Sequence, residues 1–221
     1  SDLEQYNAWE KAAERFLQEL TITRQLSTPV NFIVHTYHDV NSQLAQGRPF
    51  FVDIARDGIV LYETPGYPLA SPKVLDPQET RALAQRYFDQ WFPAAADLIS
   101  GANFYRERDN LNLAAFQLHQ AAERLYHCTL LVLAFYSPKS HRLTFLRSQA
   151  ERIAPLLIDV WPRYTKFAKR SFTRLDRAYV DARYSPAFEI TREELAWLAD
   201  RIKILQQTVA AICTERLAGP P

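Results

Sequence analysis

Ala115-Phe-Gln-Leu-His-Gln-Ala-Ala-Glu-Arg-Leu-Tyr126 and Ala178-Tyr-Val-Asp-Ala-Arg-Tyr184 are the two stretches whose reading decides the fold. Both have helical periodicity, and both set polar side chains among residues spaced for burial. An amide, an imidazole and a carboxylate buried on one helix are costly unless hydrogen-bond partners are supplied. Arg177, Asp181 and Arg183 in and beside the second stretch offer such partners. Two helices exchanging polar groups in this way predict a cleft between them.

Within the first stretch and just beyond it, His119, Glu123 and His127 recur every four residues and so share one helix face, with Gln120 flanking them. His and Glu at this spacing can share a metal ion. No clear third or fourth ligand stands nearby in sequence, so a hydrogen-bonded polar seam is expected and no metal. On the second helix Arg177 and Asp181 pair at i, i+4, and Arg183 leaves the helix beside Tyr184, ahead of Ser185-Pro186. An arginine fork near a helix end suits bidentate phosphate or carboxylate binding. The alternative is an arginine paired with Glu123 or Asp181 that only holds the two helices in register. Lys139 and His141, in the turn Pro138-Lys-Ser-His141, either join the cleft or cap the helix that follows.

Around these stretches five helices are predicted: about Glu79 to Tyr105 with a bend at Pro93, Asn110 to Tyr136, from near His141 to before Pro155, Thr165 to Tyr184, and onward from the capping-box pattern Thr191-Arg-Glu-Glu194. Short loops between long helices predict an up-and-down bundle over residues 79–217. The region before it has another character. A helix is expected from Leu3 to Leu20, a strand over Pro29 to Thr36, a short helix capped by Asp39 and ended by Gly47, and a second strand at Ile59-Val-Leu-Tyr-Glu63. Residues 1–63 thus read as a small, incomplete α/β unit. Residues 64–78, with Pro65, Gly66, Pro68, Pro72 and Pro77, read as a linker. The fold class expected is mainly α.

The 221 residues carry a net charge of +1, so no global field favours nucleic acid or an acidic membrane. Any basic patch is local, and the candidate is Arg163, Lys166, Lys169, Arg170, Arg174 and Arg177, which can track a phosphate backbone or be a solvated helix face. No apolar run reaches the roughly 18 residues of a membrane span. Cys128 and Cys213 lack metal-site or redox spacing and read as buried free thiols, which suits a cytoplasmic protein. The chain has no methionine, even at position 1, and reads as a fragment or processed product. Phosphate-loop, zinc-protease and serine-hydrolase motifs do not occur.

The stretches 115–126, 138–141 and 178–184, followed by Ile190-Thr191, resemble the HEPN family (higher eukaryote and prokaryote nucleotide-binding domains). The resemblance covers the last two-thirds of the chain. It implies a five-helix bundle, commonly a homodimer, with a polar cleft at its second and fourth helices. A nucleotide such as ATP or GTP, or another phosphate-bearing ligand, would lie there against Gln120, Glu123, Asp181 and Arg183, with His119, Lys139 and His141 as further candidates. Many members are ribonucleases with an arginine followed four to six residues later by histidine. Here Arg183 is followed by Tyr-Ser-Pro-Ala-Phe-Glu-Ile190, which contains no histidine. RNA therefore stands as the lesser partner, with catalytic residues unassigned.

Residues 1–63 resemble the back half of a polymerase-β-type minimal nucleotidyltransferase, often fused ahead of this branch. That chemistry needs a Gly-Ser loop and paired aspartates holding Mg2+ with a nucleoside triphosphate. Neither is present in the 221 residues, and Asn31 stands where a third aspartate is expected. The resemblance implies that an intact parent, with an upstream catalytic segment, is the transferase and that this chain alone is not.

Overall fold

The computed structural model describes residues 6–30 and 32–219. The chain divides into two compact units, Ser1–Val74 and Leu75–Pro221. Asn31 lies outside the described residues.

Among the described residues the first unit holds three helices: α1 (Tyr6–Thr21), α2 (Tyr37–Ala45) and α3 (Pro49–Asp57). The expected α/β unit is corrected here, because no strand occurs among the described residues. Residues 59–63 are irregular chain, as are the described residues of 29–36. A strand is stabilised by the ladder beside it, and local β propensity without a ladder does not form one. Ile59, Val60, Leu61 and Tyr62 are 88%, 72%, 94% and 82% exposed. A smaller correction concerns α2, whose cap is Thr36. Its hydroxyl accepts from the Asp39 backbone N–H at 3.0 Å, which places Asp39 inside the first turn.

The second unit contains α4 (Pro77–Glu107), α5 (Leu111–Ala134), α6 (Leu143–Ile153), a 3-10 turn (Pro155–Val160), α7 (Lys166–Tyr184) and α8 (Arg192–Ala218). Asp76 and Glu79 form a capping box with Pro77 in the first turn, so α4 starts ahead of the expected Glu79 and runs on through Pro93. Asn110, Thr165 and Thr191 cap α5, α7 and α8 through side-chain oxygens. Phe135 ends α5 in the left-handed region, with φ of 56°.

Helix α5 is central. Fourteen of its 24 residues are buried, more than one face of a helix can supply, and α4, α6, α7 and α8 all pack against it. Ala114, Ala115, Ala121 and Ala122 permit close approach by the neighbouring helices. Leu118, Leu125, Leu146, Leu175, Leu195, Leu198, Ile202 and Leu205 fill the space between them. This packing forces the polar residues of α5 into the interior, where they need partners from other elements.

Candidate functional site: a carboxylate among imidazoles beside a caged arginine

The partners come mostly from the loop after α5, which returns over the helix that precedes it. His119 is fully buried and donates from Nε2 to the His141 carbonyl at 3.0 Å. That bond protonates Nε2, so the Nδ1 lone pair accepts from the Gln120 amide at 3.3 Å. The same amide nitrogen donates to Glu123 Oε2 at 3.1 Å. His141 places Nδ1 3.1 and 3.2 Å from the two Glu123 oxygens. His127 completes the row, with Nδ1 2.5 Å from Ser137 Oγ and Nε2 3.9 Å from Glu123 Oε1.

Burial dominates the protonation states. It pushes the His119 imidazole down to about 4, although the His141 carbonyl favours the charged form. Burial also pushes His127 down to about 4, and Arg124 adds to the effect. At neutral pH their approaches to Glu123 at 3.7 and 3.9 Å are therefore not ion pairs. Glu123, 8% exposed, has its carboxyl raised by burial, against the stabilising bonds from His141 and Gln120.

On the solvent side the cluster continues as a stack. The His141 ring lies on Tyr179 with centroids 4.2 Å apart and an interplanar angle of 10°. The Arg183 guanidinium carbon stands 4.5 Å from the Tyr179 centroid, 4.8 Å from Phe116 and 4.9 Å from Tyr184. Its Nε donates to the Tyr179 carbonyl at 2.7 Å. Three rings thus cage an exposed guanidinium whose terminal nitrogens have no carboxylate within ion-pair distance among the described residues.

His119, Gln120, Glu123 and His141 are thus brought together, and Arg183 joins them through Tyr179. Asp181 does not: it pairs with Arg177 at 2.7 Å along its own helix. Lys139 is exposed in the turn, and among the described residues no hydrogen bond or ion pair joins it to the cluster. The basic run proves largely committed. Arg170, at 2.8 Å, and Arg174 both bind the fully buried Glu194, while Arg163 binds Glu151. Lys166 and Lys169 remain exposed.

Sequence reasoning passed over Tyr179 and Phe116, which hold the arginine, and did not place His127 in the cleft. The Tyr179–Arg183 spacing of four residues on a helix is the signal that could have found the stack. A separate groove of about 720 Å³ is lined by Arg108, Asn110, Arg174 and Glu189, among others, and by none of the predicted site residues.

No curated protein matches the chain. The family model described as the HEPN domain matches residues 88–209, from within α4 to within α8 and across the whole polar cluster. That match covers more than half of the sequence and coincides with the helical unit, so the chain belongs to the HEPN family.

Proposed function

We propose that the helical unit binds a nucleotide or another phosphate-bearing ligand in the cleft between α5 and α7. The observation that carries this reading is the state of Arg183. It is exposed, held by three rings and free of a carboxylate, whereas Arg170, Arg174 and Arg177 on the same helix all have one. A pre-oriented guanidinium without an internal counter-charge is an anion receptor. The imidazole of His141 stands next to it on the Tyr179 ring, with His119, Gln120 and Glu123 supporting it from beneath. Asp181, paired with Arg177, and the exposed Lys139 lie outside this cluster.

The test is calorimetric titration of ATP and GTP, with and without Mg2+, into wild type and Arg183→Ala. Micromolar binding that weakens at least about tenfold in the variant is expected, since a charged hydrogen bond contributes roughly 1.5–3 kcal/mol. Absence of binding to either nucleotide, or an Arg183→Ala variant that binds equally well, overturns the reading.

A second reading, in which the chain is the C-terminal part of a nucleotidyltransferase, is favoured by the run of four exposed apolar residues at 59–62. Such a run normally lies covered. A Gly-Ser loop and an Asp-x-Asp segment upstream in the genomic reading frame are expected on this view, and their absence there rejects it. Assembly as a cytoplasmic homodimer through the bundle belongs to the same proposal and is measured by light scattering on the purified chain. Action on RNA is the weakest reading, because four cations of the basic run are already paired with carboxylates.

A further inference from the structure

We propose that the groove between the α4–α5 turn and the start of α8 binds a small zwitterion of the α-amino-acid class, its carboxylate on Arg108 and its ammonium group on Glu189. The groove encloses about 720 Å³ and shares no residue with the cluster around Glu123. Small-molecule sites span roughly 300–1,000 Å³, so its size is suitable.

Charge comes first. Arg108 and Glu189 line this one groove with opposite charges, and among the described residues neither has an ion-pair partner. The other charges of the lining are committed. Asp109 holds Arg192 at 2.6 Å, and Arg174 is bound to Glu194. One cation and one anion therefore remain open to a ligand. A purely anionic ligand would meet Glu189, and a purely cationic one would meet Arg108. Only a molecule carrying both signs satisfies the pair.

Preorganisation is the second observation. The Arg108 guanidinium carbon stands 3.6 Å from the Phe104 centroid, and Nη1 lies 3.5 Å from the Phe104 carbonyl. The fork is thus oriented before a carboxylate arrives. Asp109, next in the chain, lies in the left-handed region with φ of 59°, and Asn110 caps α5 through Oδ1. The Asp109–Arg192 pair fastens this turn to the first residue of α8, so the two rims of the groove are tied together. A site whose walls are fixed in advance loses less conformational freedom on binding. The rest of the lining suits the body of such a molecule. Asn112 offers an amide with no hydrogen-bond partner among the described residues, while Leu111, Phe188 and the buried Ile190 supply apolar surface.

The test is a thermal-shift screen of the proteinogenic amino acids at millimolar concentration, followed by calorimetry on those that stabilise the chain. At least one is expected to bind with a micromolar to millimolar dissociation constant. Its N-acetyl and carboxamide derivatives, each lacking one of the two charges, should bind at least about tenfold more weakly. Arg108→Gln and Glu189→Gln, changes at exposed side chains that leave the core intact, should each weaken the parent amino acid by a similar factor. Absence of binding by every amino acid, equal binding of either derivative, or wild-type affinity in either variant overturns the proposal. Neither variant touches the α5–α7 cleft, so the outcome does not depend on the Arg183 reading.

Discussion

Removal of one oxygen from the centre of the bundle tests how α5 is anchored. Trp161 Nε1 donates to Tyr126 Oη at 2.7 Å, and the two residues are 1% and 0% exposed. Burial raises the Tyr126 phenol well above its usual range, so the acceptor stays neutral at any working pH. In Tyr126→Phe the ring still fills its place, but the indole N–H is left in an interior that water does not reach. A stranded donor of this kind costs about 1–3 kcal/mol, while the space vacated by one oxygen adds little. Trp161→Phe strands the phenol instead and opens a larger cavity, for a cost of roughly 3 kcal/mol. The double variant removes both polar groups, so it should be less destabilised than the sum of the singles, by about 1–2 kcal/mol. Urea unfolding followed by far-ultraviolet circular dichroism measures all four corners of this cycle. A Tyr126→Phe variant within about 0.5 kcal/mol of wild type, with no coupling to Trp161, refutes the assigned bond.

Glu194 offers a second test, since it closes the capping box of α8 and receives Arg170 and Arg174 while fully buried. Glu194→Ala is expected to cost about 2–3 kcal/mol, and Glu194→Gln less because the amide oxygen still reaches the Thr191 N–H. Equal denaturation midpoints for the two variants would show that the cap contributes nothing. The third prediction concerns pH. His119 and His127 titrate near 4 in the folded protein against about 6.5 unfolded, so between those values the unfolded chain binds more protons. Stability should therefore fall as pH drops from about 6.5 towards 4, by roughly 1.4 kcal/mol per pH unit for each histidine. The raised carboxyl of Glu123 works in the opposite sense and shallows the slope. Urea midpoints at pH 7 and pH 5 that coincide would contradict the buried neutral assignment.

What was legible in the sequence divides by range of interaction. Helices α4 to α8 follow from apolar spacing and from caps such as Asn110, Thr165 and Thr191, all of which act within one turn of chain. The seam of His119, Gln120 and Glu123 was legible for the same reason. For His141 the sequence left two readings, cleft or helix cap, because its bond to Glu123 depends on where a loop closes 18 residues later. Nor was the commitment of Arg170 and Arg174 to Glu194, which joins α7 to the start of α8 and turns an apparent basic stripe into an internal clamp. Strand propensity at 59–62 misled in the opposite way. Residues suited to a pleated sheet do not make one without a neighbour, and none is present among the described residues.

Glu123 ties these observations to function. Its carboxylate is nearly buried, and of the three imidazoles around it two are held neutral by burial. The carboxylate is then balanced by the His141 ring bonded to it or neutralised by a proton on the carboxyl itself. A seam selected only for packing would have less costly solutions, since an apolar residue of similar volume at 123 avoids the desolvation penalty altogether. The two sources are separable in one protein. Without the His141 ring, as in His141→Ala, Glu123 loses that bond and its carboxyl is raised further. A proton on Glu123 gives stability that rises as pH falls. The pH profile of stability recorded for wild type and His141→Ala therefore identifies which of the two balances the carboxylate that lies beneath the Tyr179–Arg183 stack.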